Sequence, residues 1–156
     1  MPAPELIALL DEHRVPYEIL RHEPAASAQE IASRTHTSGD EVAKAVLVDV
    51  DGEPAVAVLP ASHRIGIERL REGIGAAAVA LLQGGAIASL GPLAQTGCIP
   101  PFGRLLGAQT ILATALAESL KITFPAGSRT EAVRMRMRDY ERVACPTLVN
   151  VSIPRR

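Results

Sequence analysis

Two stretches of the 156-residue chain carry residue types and spacings that chemistry could use. The first is Glu41-Val42-Ala43-Lys44-Ala45-Val46-Leu47-Val48-Asp49-Val50, an apolar β-branched run with one lysine inside it. In a strand of period two, Lys44 shares its side with Val42, Val46 and Val48. A lysine there is costly unless it meets an anion, a polar partner or a cavity. The competing reading is a lysine snorkelling out of an edge strand, and the sequence weighs the two evenly. The second stretch is Thr96-Gly97-Cys98-Ile99-Pro100-Pro101-Phe102-Gly103. Glycine opens backbone conformations closed to other residues, and two consecutive prolines fix φ and remove two donors. The N–H groups of Gly97, Cys98 and Ile99 are then candidates to converge on a ligand oxygen. Taken alone, a Pro-Gly cluster of this kind is more often a stiff crossing between strands.

Other reactive types give weaker signals. Cys98 as a nucleophile would need a lowered pKa and a base such as His22 or His63 within reach, and the spacing supplies neither. A small residue filling a tight turn is the simpler reading. His63, beside Arg64, reads as a surface residue. His22, ahead of Glu23-Pro24, reads first as a structural histidine and second as the lining of a cleft. Cys98 and Cys145 lie far apart without a C-x-x-C partner, and H-E-x-x-H, P-loop and G-x-G-x-x-G patterns are missing. No metal and no cofactor are expected.

The elements that must position these residues follow from periodicity. Pro4-Glu5 opens a helix with Leu6, Ile7, Leu9 and Leu10 on one face, stopped by Pro16. Tyr17 to His22 reads as a short strand. Ser27, with Glu30 three residues on, is a capping box for a helix to about Thr35. The lysine run, Asp51-Gly52 and Pro54 to Pro60 form a hairpin. A short surface helix over 67–72, a buried strand over 76–82, where periodicity alone also allows a helix, and a small helix over 84–90 come next. The uncharged stretch from Ile74 to Leu90 is read as buried core, since Gln83-Gly84-Gly85 and Gly91-Pro92 interrupt it as a membrane span. Strands at 110–113 and 120–124 flank a helix at 114–118. A turn at 125–128, a strand at 131–137 with Arg134 and Arg136 on its wet face, a helical turn at 139–144 and a tail from Pro146 complete the chain. Hairpins mixed with helices give an α+β class with a largely antiparallel or mixed sheet, in one domain over residues 1–156.

Composition bounds the partners. Net charge is -1, but residues 121–156 hold eight Lys or Arg against three acids, a balance of +5 that leaves -6 for residues 1–120. A basic C-terminal quarter could meet phosphates or form a solvated face. Aromatics are only 3% of the chain, so stacking several exposed bases is not available and nucleic acid would be met by charge and shape. The N-terminus lacks the basic start and apolar run of a signal peptide, which points to the cytoplasm.

In order, Tyr17…His22, Ser27-Ala28-Gln29-Glu30-Ile31-Ala32, Val42-Ala43-Lys44-Ala45-Val46-Leu47-Val48, Ala57-Val58-Leu59-Pro60, Gly97-Cys98-Ile99-Pro100-Pro101-Phe102-Gly103 and Phe124-Pro125-Ala126-Gly127 resemble the YbaK and prolyl-tRNA-synthetase-associated editing domain family. The resemblance spans roughly residues 16–145 and rests on the combination of the lysine strand with a G-x-x-x-P loop. It implies a mixed, partly curled sheet flanked by helices, and hydrolysis in trans of the ester joining a wrong amino acid to tRNA. It implies that Lys44 contacts the substrate end and that the backbone of Gly97, Cys98 and Ile99, closed by Pro101, holds the aminoacyl carbonyl. His22, Ala28, Pro100, Phe102, Gly103 and Gly127 would line the substrate, and Arg129, Arg134 and Arg136 would meet tRNA. Positioned water and an oxyanion-holding loop would then suffice without a protein nucleophile.

The chain departs from the family where many members carry an aspartate, here Ala113 or Thr114, and where synthetase-inserted members carry a histidine, here Arg129-Thr130-Glu131. The expected activity is that of a freestanding deacylase for a small amino acid such as Ala, Ser or Cys, on tRNA for proline, with mischarged tRNA as partner and a homodimer or a synthetase complex left open. The alternatives are a non-catalytic module binding an aminoacyl-like ligand or a protein, and a Cys98-dependent hydrolase.

Overall fold

Pro4 and Glu5 occupy the first turn of helix α1 (Pro4–Glu12), whose Leu6, Leu9 and Leu10 are buried while Ile7 is half-buried. Strand β1 (Glu18–Arg21) leads to α2 (Ala28–Arg34). Ser27 Oγ accepts the Glu30 N–H at 3.1 Å, and the Glu30 carboxylate returns to the Ala26 N–H, one residue ahead of the cap. Strands β2 (Ala43–Val50) and β3 (Glu53–Pro60) are joined by Asp51 and Gly52 at φ +50° and +90°, the doubly left-handed geometry of a type I′ turn. The chain continues through β4 (His63–Ile65), α3 (Ile67–Ile74), β5 (Val79–Leu81), α4 (Gly85–Ala88), β6 (Gln109–Ala113), α5 (Thr114–Ala117), β7 (Lys121–Pro125), β8 (Glu131–Arg136), α6 (Met137–Ala144), β9 (Thr147–Val149) and β10 (Ser152–Pro154).

The computed structural model describes residues 1–155. One sheet has the order β5-β2-β3-β6-β9, parallel at β3–β6 and β6–β9 and antiparallel elsewhere. An antiparallel sheet has the order β1-β8-β7, and β4 pairs with β10. A parallel bridge between Val42 and Thr123, with the Thr123 N–H donating to Glu41 O at 3.1 Å, joins the two larger sheets. The result is the mixed, curled α+β sheet expected. Its inner face carries Ala43, Leu47, Val56, Val58, Leu112, Phe124 and Val133 around Leu6, Leu10, Phe102 and Tyr140. On the outer face, Val48, Ala57, Leu59 and Ile111 pack against Leu70 of α3, while α2 covers Val42, Ala61 and Ala132 with Ala28 and Ile31.

Two expectations are corrected. The uncharged stretch from Ile74 to Leu90 is not core: of residues 76–82 only 79–81 form a strand, at the sheet's edge, and Ala76 alone in the stretch is buried. Its small side chains satisfy hydropathy without needing burial, and the Asp51 carboxylate holds it by accepting the N–H groups of Ala77 and Ala78 at 3.0 and 2.8 Å. The tail after Pro146 is not loose. β9 pairs in parallel with β6 and β10 pairs with β4, contributing buried Val149 and Val151 to the outer core.

Candidate active site

Pro100, Pro101, Phe102 and Gly103 are all buried, so the C-terminal half of the loop is an anchor. Pro101 O accepts the Tyr140 hydroxyl at 2.6 Å, Phe102 meets the Phe124 and Tyr140 rings edge-on at 5.5 and 5.1 Å, and the Gly103 N–H donates to Thr110 Oγ1 at 2.7 Å. A side chain on Gly103 would stand 2.4 Å from Ala108 O, which explains the glycine. Pro100, Phe102 and Gly103, expected to line the substrate, and Pro101, expected to close the carbonyl-holding loop, are thus packed into the core and anchor the loop.

The N-terminal half faces outward. Gly97 is exposed at φ +73°, in the left-handed region where a Cβ is strained although the space around it is open. The Cys98 N–H is already taken by Thr96 Oγ1 at 3.1 Å, and this hydroxyl in turn donates to Leu93 O at 2.9 Å. Of the three expected donors only Gly97 and Ile99 keep an N–H without a partner among the described residues, so Cys98 is corrected as a donor. Burial pushes the Cys98 thiol above its ordinary pKa, with Arg129 opposing in part, which disfavours the thiolate a nucleophile needs.

The turn between β7 and β8 lies against this loop. The Gly127 N–H donates to Cys98 O at 2.9 Å, Arg129 O accepts the Ala25 N–H at 2.8 Å and Thr130 O accepts the His22 N–H at 2.8 Å. Gly127 sits at φ +84°, and a Cβ there would come within 2.6 Å of Ala3. Gly127→Ala is expected to lower stability by about 2 kcal/mol from strain and crowding together, measured by urea unfolding. His22 Nδ1 lies 2.7 Å from Glu23 O. A carbonyl only accepts, so Nδ1 carries a proton, and buried Nε2 has no partner among the described residues.

Lys44 projects from β2 on the outer side, between Val42 and Val46, as its spacing implied. Desolvation, with Arg155 nearby adding like-charge repulsion, lowers its pKa. The folded value lies below the unfolded one, so the unfolded chain binds more protons between the two and stability rises with pH across that window. Lys44→Met is expected to raise the melting temperature slightly at pH 7, by no more than about 2 °C because the ammonium keeps part of its solvent. The gain should shrink as pH approaches the ordinary lysine value of 10.5, which thermal melts at several pH values would check.

Ala45 and Leu47, on the inner side of β2, line a cavity of about 360 Å³ with Leu82, Ile87, Gly97 and Ile99. The Gly97 loop thus faces the flank of the lysine strand, with Lys44 across the strand from it. Ala28, the first residue of α2 and expected to line the substrate, packs with Ile31 against Val42, Ala61 and Ala132 and does not line this cavity. Of the arginines expected to meet tRNA, Arg134 donates to the Thr123 and Thr37 hydroxyls at 3.0 and 2.6 Å, and Arg136 pairs with Asp139 at 3.0 Å. Arg129 is exposed. Sequence reasoning missed Thr96, although a threonine two residues ahead of a turn N–H is a local signature. It also missed Thr110 and Tyr140, which anchor the loop from distant strands and helices and leave no local signal.

A sequence model described as an aminoacyl-tRNA editing domain matches residues 22–143. The chain is 28% identical over 154 residues to a multifunctional Ser/Thr-tRNA deacylase of Escherichia coli (strain K12), covering 93% of this chain and 89% of that one. The fold is similar to a crystal structure of a putative trans-editing enzyme for prolyl tRNA synthetase, with a TM-score of 0.83 at 11% identity over 98% and 99% of the two chains. It is similar also to that of a hypothetical protein, with a TM-score of 0.82 at 19% identity over 96% and 99%. No helix among the described residues is long and apolar enough to cross a membrane.

Proposed function

Because the chain belongs to the aminoacyl-tRNA editing domain family, we propose that it removes a small mischarged amino acid from tRNA by hydrolysing the aminoacyl ester in trans. Serine is the first candidate, given the relative that acts on Ser- and Thr-tRNA, with alanine and cysteine next and tRNA for proline as the first carrier. The observation that carries this reading is the pair of unpartnered N–H groups at Gly97 and Ile99 on a loop anchored from behind. Donors fixed in place stabilise the oxyanion that develops as water attacks the ester, without reorganising during the step. No protein nucleophile is required, in keeping with the protonated Cys98 thiol.

Lys44 and Arg155 supply cationic charge on the outer side of β2. In this arrangement the 3′ end of the tRNA lies with its phosphates near those cations, and the aminoacyl group passes over the strand edge to the loop. Hydrophobic pockets separate neighbouring small side chains by only ~1–3 kcal/mol per methylene, so a hydrolytic second sieve is what such substrates require. The test is a deacylation panel of Ser-, Ala-, Cys- and Thr-charged tRNAs, with tRNA for proline among them, on the wild type and Lys44→Ala. Turnover of at least one of them, weakened by the substitution, is expected. Inactivity across the panel, or activity indifferent to Lys44, would end the proposal.

A further inference from the structure

The curled sheet has a gap at the functional loop. On the side of β2 away from β3, strand β7 pairs only at Val42, and β5 pairs only over Val48, Asp49 and Val50. Polar groups in an antiparallel strand alternate sides with residue number. Glu41 O accepts from Thr123 and Leu47 O accepts from the Leu82 N–H at 3.0 Å, so the odd residues of β2 aim their N–H and C=O at this side. Ala43 and Ala45 lie between those two contacts. In the parallel ladder that starts at Thr123, the next donor towards Ala43 O would be the N–H of residue 125. That residue is Pro125, which has none, and β7 ends there. The strand edge therefore opens onto the cavity shared with Gly97 and Ile99 at Ala45, whose N–H and carbonyl both aim at this side, while Ala43 stays fully buried beside it.

We infer that this open edge reads the free α-ammonium of the substrate. The inference rests on the deacylase reading and adds the substrate class: amino esters with an unblocked amine, not N-acylated ones. An L-α-amino ester offers ammonium donors beside a carbonyl acceptor, the complement of the N–H and carbonyl that Ala45 leaves unpaired side by side. The Ala45 carbonyl accepts from the ammonium, and the Ala45 N–H joins those of Gly97 and Ile99 at the acyl oxygen. Acetylating the amine removes the charge and two donors, leaving the Ala45 carbonyl desolvated without a partner, which is the kind of mismatch that built polar sites reject most strongly.

The experiment uses two probes. One is seryl-tRNA against N-acetylseryl-tRNA, with hydrolysis expected to fall about 100-fold on acetylation. The other is 3′-seryl-amido-3′-deoxyadenosine, whose amide replaces the ester, against its N-acetyl form, read by amide chemical shifts of β2 and by affinity. The free amine is expected to shift Ala45 and bind about tenfold more tightly. Ala45→Pro removes the N–H that no ladder uses and should weaken binding of the amine probe. If that variant does not fold, the comparison of acetylated and free probes still decides. Equal binding of both probes, or shifts that leave β2 untouched, overturns the inference. Hydrolysis that ignores acetylation overturns it while sparing the deacylase reading. Amine-dependent binding with no turnover of any charged tRNA does the reverse.

Discussion

Phe102→Ala is expected to destabilise the protein by roughly 3–5 kcal/mol. The chain has only two Phe, two Tyr and no Trp, and three of these four rings stack against one another at Phe102, Phe124 and Tyr140. All three are fully buried, and the remaining core is built from smaller aliphatic residues that cannot expand to fill a lost ring. The effect should reach the site, because Phe102 follows Pro101 directly and the Tyr140 hydroxyl holds the Pro101 carbonyl. Burial pushes the Tyr140 phenol far above its ordinary pKa, so this hydrogen bond persists across the working pH range. Chemical denaturation measures the stability loss. Phe102→Leu, which keeps most of the volume, should recover more than half of it, and a loss below about 1 kcal/mol from Phe102→Ala would show that the ring cluster is not what holds the loop.

Gly97→Ala is expected to lower kcat/KM for a mischarged tRNA by about 100-fold while costing only about 1 kcal/mol of stability. A Cβ at Gly97 meets no atom within 4 Å, so the substitution acts through φ alone. At +73° an L-residue is strained, and the loop relaxes by rotating the Gly97 N–H away from the acyl oxygen. D-alanine at position 97, introduced by semisynthesis, favours positive φ and should restore activity. Failure of that rescue would mean that the N–H direction is not what matters. Thr96→Val gives a smaller effect of opposite origin, freeing the Cys98 N–H that Thr96 Oγ1 now occupies and loosening the turn.

Local chemistry made much of the fold legible. The capping box at Ser27, the Asp51-Gly52 turn and the leucine spacing of α1 each depend on residues within four positions of one another, and each forms as the spacing implies. The side of β2 on which Lys44 emerges also followed from period two. The order of the motifs along the chain was enough to indicate the editing family, and the matched sequence model covers residues 22–143.

Other features were decided only by long-range pairing. The tail became β9 and β10 because β6 and β4 offered unpaired edges, a reason located some 35 to 90 residues away. The stretch from Ile74 to Leu90 looked like core because hydropathy records side-chain type and not depth, yet alanines and glycines lose little by lying at a surface. The loop from Thr96 to Gly103 shows the division most clearly. Its glycines and prolines announce a rigid backbone by themselves. Which half would face a substrate depended on Phe124, Thr110 and Tyr140, which claim the second half for the core. Which N–H groups stay open, and that they open towards a strand edge left unpaired at Pro125, depended on where two distant sheets part.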